Sequence, residues 1–236
     1  MPAPVLMLTN MDRKFCRLAA KITQIFIQNC QIVNFSRDTL NSKEIFNSLD
    51  HDSYPAVISF LCPAIVPKAL LKKSRLNVNF HPGNANYPGI GSFNFALYEG
   101  VAEYGACCHH MAAKVDTGGI IYEENFPIAA EETVETLQVR TWMVLLELLS
   151  KFLRHYAAGE REFEADLKGW TRQPFTRREL NSLAILKRDM SEDEIARRKK
   201  ACNYPGFSVE FETDRQTEKN LAEKPKLVPL VERLFE

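Results

Sequence analysis

Short apolar segments alternate along the first half of the chain with longer segments in which apolar residues recur every three or four positions. Residues 5–8 form an apolar run that predicts a strand, and the spacing over residues 12–30 predicts the helix that follows it. Residues 31–35 and 56–60 predict two more strands, with a short helix over 42–49 between them. This alternation is typical of βαβαβ units and predicts a Rossmann-like α/β fold, a mostly parallel sheet with helices on both faces.

A fourth strand is predicted over residues 76–80 and runs directly into His81. The following stretch, 83–91, is rich in Gly, Pro and Asn and therefore predicts an irregular loop, after which a helix is expected over 94–99. In open α/β sheets, ligands bind beyond the carboxyl ends of the strands. Asn79 and His81 are therefore placed where chemistry is expected.

The chain then returns to strand patterns before its longest helix. Strands are predicted over 105–112 and 120–122, separated by a tight turn over 114–119. The longest helix is predicted over 132–156, with Thr133 or a neighbouring residue as its cap. Its apolar residues recur at helical spacing and predict one buried face: Leu137, Val144, Leu145, Leu148, Leu149 and Phe152.

The character of the sequence changes beyond Gly169. Residues 170–174 read as a connector, and a helix is predicted over 176–186. A capping box at 191–194 opens another helix, which we expect to end near residue 202 and to lead into a strand over 208–212. The last residues, from about 213, mix charge with two prolines and predict a loosely attached tail.

Composition narrows the class of protein. The 236 residues are 45% hydrophobic, and 30 basic residues balance 30 acidic ones, which is typical of a globular protein and argues against nucleic acid as a partner. The six cysteines form no C-x-x-C pair, so we expect reduced thiols and no metal site. The sequence lacks the roughly eighteen consecutive apolar residues of a membrane span. It also lacks a recognisable signal peptide, so a cytoplasmic protein is expected.

Five motifs follow one another between residues 79 and 121. They are Asn-Phe-His-Pro at 79–82, Tyr-Pro-Gly at 87–89, Ala-Leu-Tyr-Glu-Gly at 96–100, Gly105 with His109 four residues later, and Val-Asp-Thr-Gly-Gly-Ile-Ile at 115–121. In these motifs the chain resembles the catalytic domain of the 10-formyltetrahydrofolate-dependent formyltransferases. The family's Asn-x-His-Pro motif falls on Asn79 and His81. Its Asp-x-Gly turn falls on Asp116 and Gly118, and a second histidine, present in some members, falls on His109.

The resemblance covers roughly residues 4–160 and implies formyl transfer to an amine. Such a reaction passes through an oxyanion that needs N–H donors, and Asn79 and His81 project from the same side of a strand to supply them. Asp116 can hydrogen-bond His81, raising its pKa and orienting it, or can take the amine proton through a water. This chemistry needs no metal. Alone, each residue has a structural alternative, namely a loop histidine or a simple turn.

The resemblance also implies where the formyl donor, 10-formyltetrahydrofolate, would bind. Its pterin is expected in the crevice between the end of the third strand and the turn before Asp116. Backbone groups would form the hydrogen bonds to the pterin edge there, so the identity of the side chains matters less for binding. The residues implied are Phe60, Leu61, Cys62, Ala112, Ala113 and Val115.

Two features of other family members are missing from this sequence, and their absence narrows the choice of formyl acceptor. Glycinamide ribonucleotide enzymes hold the substrate phosphate with a glycine-rich loop after the first strand. The corresponding residues here, 9–13, include no glycine, which counts against glycinamide ribonucleotide as the acceptor. Fewer than about 60 residues follow Leu180, without a basic excess, which is too little for the tRNA-binding barrel of methionyl-tRNA enzymes. The chain is thus most like the small nucleotide-sugar N-formyltransferases, with a catalytic domain over 1–185 and a helix and strand appendage over 186–236.

This resemblance implies a small-molecule acceptor, the amine of a nucleotide-linked amino-dideoxy sugar such as dTDP-4-amino-4,6-dideoxyglucose or a dTDP-3-amino sugar, used in O-antigen lipopolysaccharide synthesis. Candidate contacts to it are Asn10, Lys14, Asn84, Tyr87, His109 and Tyr204. Packing is the alternative for both tyrosines and for His109. Three alternative functions stay open: a formyltetrahydrofolate deformylase, a glycinamide ribonucleotide enzyme and a non-catalytic binding module. A homodimer is also possible.

Overall fold

A central six-stranded sheet organises the computed structural model, which describes residues 2–36, 42–49, 53–166 and 168–212. The strands are β1 (Val5–Thr9), β2 (Cys30–Asn34), β3 (Val57–Phe60), β4 (Asn77–His81), β5 (Glu103–His110) and β6 (Ile120–Pro127). Their order is β2-β1-β3-β4-β5-β6; the first four are parallel, and β5 runs antiparallel to both of its neighbours. The predicted Rossmann-like, mostly parallel sheet is confirmed.

Helices connect and cover these strands. They are α1 (Lys14–Phe26), α2 (Ser42–Asn47), α3 (Lys68–Lys72), α4 (Ser92–Glu99) and α5 (Val134–Ala157). The pattern of apolar residues did not predict α3, because a helix of five residues is too short to display a helical period. The strand predicted over 120–122 extends to Pro127 along its partner β5.

Side chains alternate between the two faces of the sheet, and each face has its own core. On one face, Met7, Ile58 and Phe80 are buried against α1 and α5. On the other face, Leu6 and Leu8 belong to a second buried cluster. Truncating such a fully buried side chain costs about 2–5 kcal/mol, so these two cores hold the sheet rigid beneath the site.

Helix α5 is the main cover of the first face. Thr133 caps it as predicted, because its side chain accepts a hydrogen bond from the N–H of Thr136 while the Thr136 hydroxyl bonds the N–H of Thr133. All residues of the predicted apolar face are buried except Val144, which is half-buried. Phe152 contacts Phe80 edge to face at 5.9 Å and thereby packs the helix against β4.

The C-terminal part adds α6 (Arg177–Leu183), β7 (Ile185–Leu186), α7 (Glu192–Cys202) and β8 (Glu210–Phe211). The helix predicted over 176–186 ends at Leu183, because the next residues pair with β8. The predicted strand over 208–212 is reduced to two residues.

Ser191 caps α7 as predicted, through a bond from the N–H of Glu194. The reciprocal half of the capping box is not seen, because the Glu194 carboxylate pairs with Arg197 and Arg198 and accepts from Tyr98.

The C-terminal helices pack against the loop region that follows β4. Leu180 and Cys202 lie in one buried cluster with Tyr87 and Phe93, and the Asn94 amide donates to the carbonyl of Ala201 at 2.6 Å. The domain boundary after residue 185 stays a prediction, and the predicted loose tail from about 213 lies outside the described residues. In the part of the chain that the structure describes, every helix is too short or too polar to cross a membrane.

Candidate active site

Strand β4 carries Asn79 and His81 on the same face of the sheet, as predicted from their spacing. In the antiparallel pairing with β5, Asn79 lies directly opposite His109, and His81 lies opposite Cys107. His81 and His109 are almost fully buried, at 4% and 1% exposed, whereas Asn79 is half-buried. The site thus lies on the inner strands β4 and β5 of the sheet, and Asn79 is its most accessible member of these three.

Asp116 brings a carboxylate to these two rings. Its Oδ2 lies 3.3 Å from Nδ1 of His81, and its Oδ1 lies 3.3 Å from Nε2 of His109. The backbone N–H of Gly89 also donates to Oδ2 at 2.9 Å. The structure therefore joins the three predicted polar residues of the motifs, His81, His109 and Asp116, into one buried cluster.

The turn that presents Asp116 is tightly constrained. Asp116 has a left-handed backbone with φ of 46°, which is uncommon for a residue other than glycine. A Cβ added to Gly118 would lie 1.9 Å from the carbonyl oxygen of His110, so only glycine fits there. The Thr117 hydroxyl donates to the carbonyl of Lys114 at 2.8 Å and closes the turn.

His109 links Asn79 to Asp116. Its Nδ1 lies 2.8 Å from the carbonyl oxygen of His110. Its Nε2 lies 3.0 Å from Nδ2 of Asn79 and 3.3 Å from Oδ1 of Asp116. Of the two uses left open for His109, lining the site or packing in the sheet, its contacts favour the first.

His81 has an acceptor at each ring nitrogen. Nε2 lies 2.8 Å from the carbonyl oxygen of Tyr87, and Nδ1 faces Asp116. The Ser92 hydroxyl lies 3.4 Å from Nε2. Because an imidazolium donates from both nitrogens, these partners are arranged for the protonated ring. A Cβ on Gly83 would approach both His81 Nε2 and the Tyr87 carbonyl to 2.7 Å, so the glycine keeps this contact short.

Burial and charge act on the cluster in opposite directions. Burial lowers the pKa of His81 below its usual value, and this outweighs the opposing effects of Asp116 and the Tyr87 carbonyl. Asp116 therefore acts to raise the pKa of His81, as expected from the sequence, but burial makes the net shift downward. Burial acts to raise the pKa of Asp116, but His81, His109 and the Gly89 N–H together hold it at about 2. At neutral pH the free site holds an ionised Asp116 beside a neutral His81.

Trp170 is a part of the site that sequence reasoning missed. Its ring meets His81 at 5.7 Å and His109 at 5.0 Å between centroids, both edge to face. Its indole N–H donates to the carbonyl of Gly118 at 2.8 Å. Residues 170–174 predict only a connector, and no local pattern in the sequence marks Trp170 as part of a site.

The predicted walls of the folate crevice lie on either side of the cluster along the sheet. Phe60 is buried at the end of β3, and Leu61 after it has a left-handed backbone with φ of 49°. Cys62 and Met111 both pack against the apolar cluster of the second face. Ala112 and Ala113 are exposed, and so is Val115 at 45%.

The predicted acceptor contacts divide into several environments. Asn84 is buried, and its amide donates to Asn125 Oδ1 at 2.8 Å. The ring of Tyr87 is buried against Tyr104 and Phe175, while its hydroxyl donates to Glu99 at 2.6 Å, so the structure gives it the packing role.

Tyr204 is also packed, 5.4 Å from the ring of Phe207, at the edge of the C-terminal helices. Asn10 is buried at the end of β1 and accepts from the N–H of Asp12 at 3.0 Å, while Lys14 is half-buried on the first turn of α1. Their predicted contact with a pyrophosphate stays a prediction. Among the described residues, no group of three His, Cys, Asp or Glu is arranged to hold a metal ion.

Comparison with known proteins identifies the family to which this chain belongs. The family described as formyl transferase matches residues 3–152. A methionyl-tRNA formyltransferase from Rickettsia rickettsii (strain Iowa) is 28% identical over 125 residues, which are 52% of this chain and 41% of that protein. The chain therefore matches about two fifths of the length of this relative.

Two solved structures share the fold along most of both chains. A sugar N-formyltransferase from Shewanella sp FDAARGOS_354 has a TM-score of 0.71 and 18% identity, covering 91% of this chain and 94% of its own. An N-formyltransferase from Helicobacter canadensis, solved with folinic acid and dTDP-3-aminofucose, has a TM-score of 0.65 and 16% identity, covering 85% and 80%. At these identities the likeness shows the fold. Because the family match spans well over half of the sequence, the chain belongs to the formyl transferase family.

Proposed function

We propose that this protein transfers a formyl group from 10-formyltetrahydrofolate to the amine of a nucleotide-linked amino sugar. The observation that carries the proposal is the buried cluster in which Asp116 lies 3.3 Å from both His81 and His109, beside the half-buried Asn79, on a formyl transferase fold. The cluster offers hydrogen-bond donors and a carboxylate, which are the groups that acyl transfer to an amine requires.

The residues around the cluster fit a folate. Val115, one of the predicted crevice residues, is 45% exposed, and an aromatic ligand would cover its apolar side chain. Leu61 and Asp116 hold uncommon left-handed backbones on either side of His81, as is frequent where backbone groups bind a ligand. When bound, the folate supplies the formyl group that the amine receives. Folinic acid in the Helicobacter canadensis structure supports this donor class.

In this proposal, Asn79 donates to the formyl oxygen as negative charge develops on it, and the positive charge that His81 gains on taking a proton adds to this stabilisation. The described contacts of Asn79 use one amide hydrogen, toward His109, and leave the other for a substrate oxygen. Donors fixed before the reaction cost no reorganisation as the charge forms, and removing one such donor typically lowers kcat about 10²–10³-fold. Both residues sit on β4, whose position is set by the cores on its two faces.

The proton of the attacking amine is assigned to His81, supported by Asp116. A carboxylate with a pKa of about 2 is a weak base at neutral pH, which disfavours direct proton transfer to Asp116. The neutral His81 ring can accept a proton, and its two acceptors, Asp116 and the Tyr87 carbonyl, then stabilise the imidazolium. The acceptor nitrogen first bonds to the formyl carbon, and the C=O bond opens to give the oxyanion. The C=O bond then re-forms as the bond from that carbon to the folate nitrogen breaks, and His81 returns the proton to the folate nitrogen.

The choice of a sugar acceptor is supported by the extent of the structural likeness. The fold matches the Shewanella sugar N-formyltransferase over nine tenths of both chains, with a TM-score of 0.71. We propose a nucleotide-linked, dTDP-type amino sugar for surface-polysaccharide synthesis in the cytoplasm, with the amine at position 3 or 4. The acceptor would bind beside residues 84–87, with residues 1–185 as the catalytic domain and 186–236 as its appendage.

The test is a transfer assay with purified protein and 10-formyltetrahydrofolate. Nucleotide sugars with an amine at position 3 or 4 are compared with the same sugars carrying a hydroxyl there, and products are identified by the mass of an added formyl group. We expect product only with the amine. Donor consumption without any amine would indicate a deformylase instead. Formylation of methionyl-tRNA or glycinamide ribonucleotide, without reaction of any sugar, would contradict the proposed acceptor.

A further inference from the structure

Trp170 touches the candidate site without taking part in the chemistry proposed above. It lies between α5 and α6, and its half-buried ring meets His81 and His109 edge to face, with interplanar angles of 78° and 82°. Its N–H donates to the carbonyl of Gly118, two residues beyond Asp116. One side chain therefore contacts both imidazoles and the turn that carries the carboxylate.

The segment that begins at Trp170 also fixes the loop between β4 and α4. The N–H of Thr171 donates to the carbonyl of Ala85 at 3.1 Å, and the N–H of Phe175 donates to the carbonyl of Pro88 at 2.9 Å. This loop supplies the Tyr87 carbonyl to His81 and the Gly89 N–H to Asp116. A Cβ on Gly89 would lie 2.3 Å from the carbonyl oxygen of Phe175, so the two segments are in close contact.

We propose that Trp170 is a positioning residue for formyl transfer, which holds the Asp116 turn against the two imidazole rings and limits the access of water to them. The catalytic part of this inference rests on the proposed function. The contact between the indole and the imidazoles does not, so the two parts can be tested separately.

The physical reason is geometric and electrostatic. Displacing a catalytic group by about 1 Å can lower the rate about 10²-fold. Excluding water lowers the local dielectric constant and strengthens the attraction between Asp116 and a protonated His81. Trp170 acts on the position of Asp116 because its hydrogen bond fixes the turn. It acts on the local dielectric constant because its ring covers the two histidines.

Kinetics of substitutions at Trp170 test the positioning role. Trp170→Phe keeps an aromatic ring and loses the hydrogen bond to Gly118, so we expect kcat to fall about tenfold with KM within about twofold. Trp170→Ala loses both contacts, and we expect a fall of about 10²-fold. The matched control is Trp142→Phe, since Trp142 packs against Phe15 between α1 and α5; it should keep kcat within about twofold.

Fluorescence gives a readout that does not depend on activity. The chain has two tryptophans, so the Trp142→Phe variant leaves Trp170 as the sole emitter. A protonated imidazole in contact with an excited indole quenches it. The titratable groups that face this ring are His81 from β4 and His109 from β5, with Asp116 between them. Nearby Cys107 stays protonated, because burial raises the pKa of its thiol.

We expect the emission of Trp170 to fall in acid, at a pH below the usual range of a histidine, because burial lowers the pKa of His81. The fall should disappear when His81→Gln is added. A pH-independent emission, or Trp170→Ala with kcat within about twofold of the unaltered protein, would overturn the inference. If no sugar is formylated by any variant, the proposed function fails. The emission titration alone then decides whether the Trp170 ring contacts the imidazole of His81.

Discussion

The Asp116 carboxylate lies 3.3 Å from Nδ1 of His81, although the two residues are separated by the whole of α4 and β5. A left-handed backbone at Asp116 and a glycine at position 118 bring the carboxylate back over the sheet. The contact places an ionised carboxylate beside an imidazole that burial keeps neutral. The account of the site depends on this pair.

The second histidine should matter less than the first. His109→Asn shortens the side chain so that it no longer bridges Asn79 and Asp116, while the contact between His81 and Asp116 remains. We expect kcat to fall about tenfold, the low end for a positioned polar group. The matched control is His110→Asn: the ring of the neighbouring His110 bonds the carbonyl of Phe163 instead, so kcat should stay within about twofold. Equal kcat losses in the two variants would contradict the assignment.

Buried His81 should make the protein less stable in mild acid. Because its pKa is lowered in the folded state, the unfolded chain binds a proton more readily, and the free energy of unfolding falls as the pH drops below about 6.5. Urea unfolding at pH 7.5, 6 and 5 measures this effect. The His81→Gln variant should lose less stability over that range.

Asp116 does not interfere with that comparison. Its lowered pKa contributes stability that is present above about pH 4 and is lost only as the pH falls toward 2, below the range tested. Parallel pH dependence of stability in the unaltered protein and His81→Gln would show that burial of His81 does not shift its pKa downward.

The turn before β6 should tolerate no side chain at position 118. An added Cβ would lie 1.9 Å from the carbonyl of His110, so Gly118→Ala must displace the turn that carries Asp116. We expect a loss of at least about 2 kcal/mol in thermal or urea unfolding, together with a large loss of turnover. Gly159→Ala is the control, since a Cβ there meets no atom within 4 Å and its cost is limited to backbone strain, about 1 kcal/mol. A similar loss in both variants would argue against steric exclusion.

The sequence predicted the sheet and the position of the polar residues because both are local patterns. Apolar runs predicted the strands, and the family resemblance carried by two short motifs implied that Asn79, His81 and Asp116 act together. The contact of Trp170 with Gly118 spans 52 residues of sequence and follows no period, so no local pattern could reveal it. The net pKa shift of His81 also depended on burial that only the folded chain defines.

The residues that contact the acceptor were harder to predict, because their surroundings also depend on contacts between distant parts of the sequence. Tyr87 is an aromatic residue in a loop, which is typical of both stacking and packing positions. Its place between Tyr104 and Phe175 depends on the C-terminal segment folding back over the loop, a contact that sequence periodicity does not encode.

The most direct measurement is the single-turnover rate of formyl transfer in His81→Asn and Asp116→Asn, each checked for native folding by circular dichroism. The account predicts that each substitution lowers the rate by about 10²-fold or more, because positioned acid-base groups typically contribute at least that much. A rate within about threefold of the unaltered protein in both variants would contradict the claim that the pair of His81 and Asp116 performs the chemistry.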